Sequence, residues 1–243
     1  MRDLDLNQSM MRIPQYLAAC GLGSRRDCEA LVHEGYISID GVRITDPSIC
    51  VTPEQRLSYL GQPLYLQKPR MFLYYKRVGT IVSRKESRFS VFDDLKKIDQ
   101  NLVCVGRLDM MSEGLMIVTN NGRIAHEWET SDTPRHYKVL VEVRGRPDWS
   151  KISKNLRNLV VDSIKYRPIG LKYEFIRQGL YALDLFLHEG KNREIRKVCD
   201  YHKWRIRKLI RLGYGPFTLD MLGRRKYIEV KPALPILPRA RRL

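Results

Sequence analysis

The chain has 243 residues, 43% of them hydrophobic, and carries 44 Lys and Arg against 27 Asp and Glu, a formal charge of +17. That length and apolar share support one large domain, or a small one joined to a medium one, and the charge calls for a polyanionic partner. No apolar run approaches the roughly 18 residues of a membrane helix, and the N-terminal MRDLDLNQSMM has no signal-peptide core, so a cytoplasmic protein with no membrane partner is expected. Five cysteines, Cys20, Cys28, Cys50, Cys104 and Cys199, lie far apart with no CxxC pair. This spacing argues against disulfides or a zinc site and predicts buried, reduced thiols.

After a short mobile leader, Ile13, Leu17 and Ala18 place a first helix over Ile13 to Cys20, ended by Gly21 and Gly23. Ser24 is an N-cap with Asp27 three residues on, Cys28, Leu31 and Val32 form the stripe of a second helix, and Gly35 supplies its left-handed stop. Tyr36-Ile37-Ser38-Ile39 then alternates into Asp40-Gly41, the preferred two-residue hairpin turn, and Val42-Arg43-Ile44 leads back. Gln62 to Arg70, with two prolines, reads as an extended linker. Beyond it short β-rich runs recur at 71–75, 102–105, 115–119, 137–143 and 181–187, with helical patterning at about 123–129, 148–158 and 192–202. The expected fold is α+β: a small domain of two helices and a strand pair (11–66), a larger domain with a mixed or antiparallel sheet flanked by helices (67–233), and an extended basic, Pro-rich tail (234–243).

The sharpest local signal is VGRLDMMSEGLMIVTNNG, residues 105–122, where Gly106 and Gly114 bracket a polar loop between apolar strands. A lone Leu-Asp in a loop is most simply a turn residue capping a neighbouring amide. Here, however, the segment resembles the GRLDxxTxGL motif of pseudouridine synthases, most closely the RsuA-type family. EGKNREIRKV (189–198) is similar to that family's EGRxxQVRRM-type segment, and PRHYKV (134–139) to its KxYxV segment. RIPQYLAACGLGSRRDCEALVHEGYISIDG looks like the S4 RNA-binding domain of ribosomal proteins, so the resemblance covers almost the whole chain in the family's domain order.

The resemblance implies conversion of a specific uridine in ribosomal RNA to pseudouridine, with no cofactor or metal. Asp109 is then the catalytic carboxylate, able to attack or stabilise an electron-poor sugar carbon or the pyrimidine ring. An ionised carboxylate beneath an extruded base loses solvation and needs an adjacent cation. The resemblance points to Arg196, with Arg193 the alternative, and Arg107 is assigned to RNA backbone or to bracing the loop. Tyr137 corresponds to the family's tyrosine, which stacks on the extruded base and moves the proton from carbon 5. Departures are Ser112 for the usual Thr; Lys76-Arg77 where Lys-Pro is common, which predicts a less rigid loop; and Glu194 where Gln is frequent, a competitor of Asp109 for an arginine.

Nine Lys or Arg fall between Lys191 and Arg211, interleaved with Tyr201, His202 and Trp204, a pattern suited to phosphates and splayed bases. Lys191, Arg193 and Lys197 are the expected RNA contacts there, and Arg12, Arg25, Arg26 and Arg43 form the basic face of the small domain. The expected partner is 23S ribosomal RNA in preference to 16S, naked or in a precursor particle, bound by a monomer. The competing readings are a ribosome assembly factor that has kept the fold without the chemistry and a sequence-specific DNA binder, which the hairpin and the β-rich second half fit poorly.

Overall fold

The computed structural model describes residues 10–52, 54–84 and 89–235. The expected leader up to residue 9 and the expected tail from 236 onward lie outside the described residues.

The small domain begins with helix Ile13–Ala19, with Pro14 in its first turn. Helix Arg25–His33 follows, and Ser24 and Asp27 form the anticipated capping box, at 3.2 and 2.8 Å. Strands Ile37–Ile39 and Val42–Ile44 pair across Asp40-Gly41, both at positive φ. A second hairpin, Leu57–Tyr59 with Gln62–Pro63, completes a four-stranded sheet. Sequence patterning missed it because its turn is Leu60-Gly61, both at positive φ, which lacks the Asp-Gly signal that marks the first hairpin. Ile13, Leu17, Cys28, Val32 and Ile37 fill the core beneath.

Only Gln62–Pro63 of the expected linker is a strand, and the rest is stitched on both sides. Gln67 N donates to Ala19 O at 3.0 Å and Leu64 N to Leu57 O at 2.9 Å. Asn120 accepts from Arg70 N at 2.7 Å and donates to Lys68 O at 3.0 Å.

In the large domain the strands run in the order Gly170–Arg177, Leu180–Leu187, Arg135–Glu142, Arg205–Tyr214, Glu113–Thr119, Met71–Lys76, Tyr227–Val230. Phe217–Thr218 pairs with Arg205–Tyr214, and Val103–Val105 with Glu113–Thr119, making nine strands among the described residues. All pairings are antiparallel except one short parallel step, Ile210 opposite Glu113 and Arg211 opposite Gly114. Glu113–Thr119 is buried along its whole length. Phe72, Tyr74, Met116 and Val118 enter one apolar cluster, while Met71, Leu73, Leu115 and Ile117 enter the other, as the two-residue period of a sheet covered on both faces demands.

In this domain three strands of four or more residues escaped the sequence reading, Gly170–Arg177, Arg205–Tyr214 and Tyr227–Val230, as did three two-residue ones. The central one is informative. Arg205–Tyr214 slips register against Arg135–Glu142 twice, between His136 and Tyr137 and between Leu140 and Val141, and each extra residue breaks the alternation that would have announced a strand. Helix Val91–Leu95 is capped by Ser90. Cys50 is exposed, against the expectation of buried thiols, because it sits on a two-residue strand at the rim of the small domain. At the other end of the chain Trp128 Nε1 donates to Ala233 O at 2.7 Å, Leu234 packs on the core and Pro235 is buried, so the expected tail begins as docked chain.

Candidate active site

One edge of Glu113–Thr119 changes partner midway: residues 117–119 pair with Val103–Val105, and residues 113–114 with Arg205–Tyr214. The loop 106–112 is extruded beside that change, at the middle of the sheet. Gly106 and Gly114 have φ of 68° and 113°, the left-handed backbone that its two ends require. Ser112 N donates to Asp109 O at 3.0 Å, Gly79 N to Met110 O at 2.9 Å, and Gly106 N to Glu129 Oε1 at 2.7 Å.

Beneath the loop lies Lys76, fully buried, whose Nζ donates to Ser112 O (2.8 Å), Arg77 O (3.1 Å) and Met110 O (3.3 Å). Burial pulls this amine down to about 8, against the opposing pull of Asp109 and Glu113. The loop 106–112 is therefore tied down from below. Nothing in the sequence distinguished Lys76 from a surface lysine except its place at the end of an apolar strand.

Asp109 meets Arg196, which projects from helix Glu194–Tyr201. Arg196 Nε donates to Asp109 Oδ2 at 3.0 Å, and its Nη2 to Met111 O (2.9 Å) and Ser112 Oγ (3.0 Å). One guanidinium thus holds both the carboxylate and the loop that presents it. Arg193, the alternative partner, is instead the N-cap of the helix, at φ 52°. Tyr137 is 9% exposed, beside the first register slip.

Asp109, Tyr137, Arg107, Lys191 and Arg193 all line a cavity of about 780 Å³, and a side cavity of about 80 Å³ adds Arg196 and Glu194. The exposed Met110 and Met111 flank Asp109 at the rim. Arg107 and Arg193 are exposed there, while the Lys191 amine is occupied by Lys165 O and Glu189 at 2.7 and 2.8 Å. Lys197 does not line the cavity.

Arg12, Arg25 and Arg26 are exposed on the small domain. Arg25 lines a second cavity of about 430 Å³, between that domain and Asn120 to Arg123, which shares Val103, Cys104 and Glu129 with the main one. Arg43 donates to Glu34 O at 2.9 Å, closing the end of the preceding helix. Two further arginines of the main cavity, Arg135 and Arg211, were not singled out by sequence reasoning. Both sit in strands that carry other basic residues, RHYKVLVE and RIRKLIRLGY, so their charge gave no separate signal.

Glu194 does not compete for Arg196. Its Oε2 accepts from Lys191 N at 3.1 Å, and the residue is 4% exposed. Burial, with repulsion from Glu189, pushes its carboxyl up to about 7 from an ordinary 4.5. A group raised on folding binds more protons in the native state, so its contribution is complete below pH 4.5 and is lost as pH climbs through about 7. The loss is roughly 3 kcal/mol at most for a shift of this size. Glu194→Gln should therefore melt higher than the wild type at pH 8 and close to it at pH 5. Equal differences at the two pH values would show that the carboxyl titrates normally.

The cavity, its paired carboxylate and arginine and its basic rim suit a reaction on a nucleotide lifted out of an RNA chain. Comparison with known proteins agrees. Residues 70–201 match the family of RNA pseudouridylate synthases, and residues 11–57 match the S4 domain. An uncharacterized RNA pseudouridine synthase of Rickettsia felis is 35% identical over 91% of this chain and 97% of its own length. The ribosomal large subunit pseudouridine synthase B of Bacillus subtilis is 28% identical over 92% and 93% of the two chains. A crystal structure of a pseudouridylate synthase superposes with a TM-score of 0.60 at 16% identity, covering 90% of this chain and 96% of that one, a likeness of fold. The chain belongs to the RNA pseudouridine synthase family, isomerases acting on RNA, and carries an N-terminal S4 domain.

Proposed function

We propose that the protein isomerises a uridine of 23S ribosomal RNA, as a cytoplasmic monomer, with Asp109 as the catalytic carboxylate, Arg196 as its counter-ion and Tyr137 as the residue against the base. The observation that carries the reading is the Arg196–Asp109 ion pair at the mouth of a cavity large enough for a nucleotide. The reaction breaks the bond from N1 to the sugar and forms one from carbon 5, with the carbon 5 proton lost to water and a proton taken up at N1. A carboxylate held by one guanidinium is kept oriented without metal or cofactor. Tyr137 offers an aromatic face for stacking and a hydroxyl for moving the carbon 5 proton. Arg107 and Arg193 at the rim, with Arg12, Arg25 and Arg26 on the S4 domain, are placed to meet phosphates. The large-subunit names of relatives in Bacillus subtilis and Yersinia pestis support 23S over 16S. No described helix is long and apolar enough to cross a membrane.

Unmodified 23S, 16S and transfer RNA labelled with tritium at uridine carbon 5 test the proposal, with Asp109→Ala as the blank. Tritium release from 23S alone, absent in the variant, is the expected result. Release from another RNA would move the substrate. Silence on all three and on ribosomal precursor particles would leave an RNA-binding assembly factor.

A further inference from the structure

Two arginines are buried in the wall of the main cavity without an ion pair, and the one carboxylate seen to act on either is Glu194, which acts on Arg135 through space. Arg211 is 2% exposed and Arg135 6%, and a guanidinium cannot escape the cost of burial by losing its proton. Arg211 Nε donates to Leu115 O at 2.6 Å, but its Nη2 is buried with no partner. Arg135 Nη2 donates to Tyr214 Oη at 2.9 Å and Glu129 O at 3.4 Å, which are neutral acceptors. The two guanidinium carbons lie 4.8 and 5.2 Å from the centre of the same Tyr214 ring. Of the carboxylates lining the cavity, Asp109 is held by Arg196 and Glu129 accepts from Gly106 N. Among the described residues neither arginine forms an ion pair.

Buried charges in folded proteins are ordinarily paired, and two like charges around one ring, one of them with an unpartnered donor, are stabilised by an anion. The cavity they line also holds Asp109 and Tyr137, and at about 780 Å³ it has room for a base together with its phosphate. We propose that Arg135 and Arg211 form a phosphate seat in the wall of the active cavity, which takes the phosphodiester of the nucleotide presented to Asp109. The seat rests on the reading of this cavity as the RNA site. It adds what the Asp109–Arg196 pair does not supply, a fixed point for the backbone, so that the sugar carbon is registered against the carboxylate before the base turns. The hydroxyl of Tyr214, donating to Trp128 O at 2.8 Å, anchors the ring that both cations pack against.

The test compares binding of uridine 5′-monophosphate with that of uridine. Wild-type protein should prefer the monophosphate by about 10-fold or more, the value of one charge-assisted contact. Arg211→Gln and Arg135→Gln should each remove most of that preference, and Arg211→Lys should keep part of it. Arg224→Gln with Arg225→Gln, which removes two exposed cations elsewhere, should keep all of it. Equal binding of the two ligands by the wild type, no measurable binding of the monophosphate, or a preference that survives both glutamine variants would each overturn the seat. If the variants do not fold, the wild-type comparison still decides. Tritium release from RNA, measured in parallel, separates the two proposals: release without a phosphate preference sinks the seat alone, and a preference without release sinks the reaction alone.

Discussion

Replacing Arg196 with methionine is expected to lower the rate of tritium release by roughly 10²- to 10³-fold, the cost of deleting one preorganised charge from a site, while changing KM little. Its guanidinium makes three contacts, to Asp109 Oδ2, Met111 O and Ser112 Oγ, all at 2.9 to 3.0 Å. Removing it leaves a partly buried carboxylate with no hydrogen-bonded cation, only the buried Lys76 amine acting on it through space, and a loop with one carbonyl and one hydroxyl oxygen unmet. Arg196→Lys restores the charge but cannot reproduce the fork, so its rate should fall between the two. Combining Arg196→Met with Asp109→Asn should be no slower than Asp109→Asn alone, because groups that act as a unit are strongly non-additive. Multiplicative losses in the double variant would mean that the arginine acts on the RNA and not through Asp109.

Gly114→Ala is expected to destabilise the large domain by roughly 3 kcal/mol or more, a fall of about 10 °C in Tm. The backbone here has φ of 113°, and an added Cβ would lie 2.3 Å from Arg211 O and 2.7 Å from Arg211 N. Those are backbone atoms of the neighbouring central strand, so no side chain can swing aside to make room. A Tm within 2 °C of wild type would mean that the parallel step reforms elsewhere. The same glycine in the sequence signals only a loop end.

The site was legible where function writes itself into local sequence. The stretch around Asp109, the segment of Arg196 and Tyr137 stood out by resemblance, and the geometry places all three at one cavity. What could not be read was burial. Lys76, Arg135 and Arg211 look like any surface cations in a chain of charge +17, and only the fold reveals that they are inside. Elements behaved alike. The Ser24 capping box and the Asp40-Gly41 hairpin are written in adjacent residues, whereas Arg205–Tyr214 owes its strand character to partners on both sides and has its period broken by two extra residues. The strand Gly170–Arg177 lies at the sheet's edge and buries little, so it lacks the apolar run that betrays a central strand.

The partner change along Glu113–Thr119 has a topological meaning. Every strand from Arg135 to Tyr214 lies on one side of the short parallel step, while Met71–Lys76, Val103–Val105 and the returning Tyr227–Val230 lie on the other. The intervening stretch leaves and re-enters at adjacent points, Arg135 being paired with Tyr214. It is thus an insert with a narrow neck. The inserted part carries Tyr137 and Arg196; the host part carries Asp109. On the proposed assignment of Asp109, Tyr137 and Arg196, neither piece owns a complete reaction centre, and the chemistry requires guest and host to be docked in register. On that assignment, turnover reports that guest and host have docked.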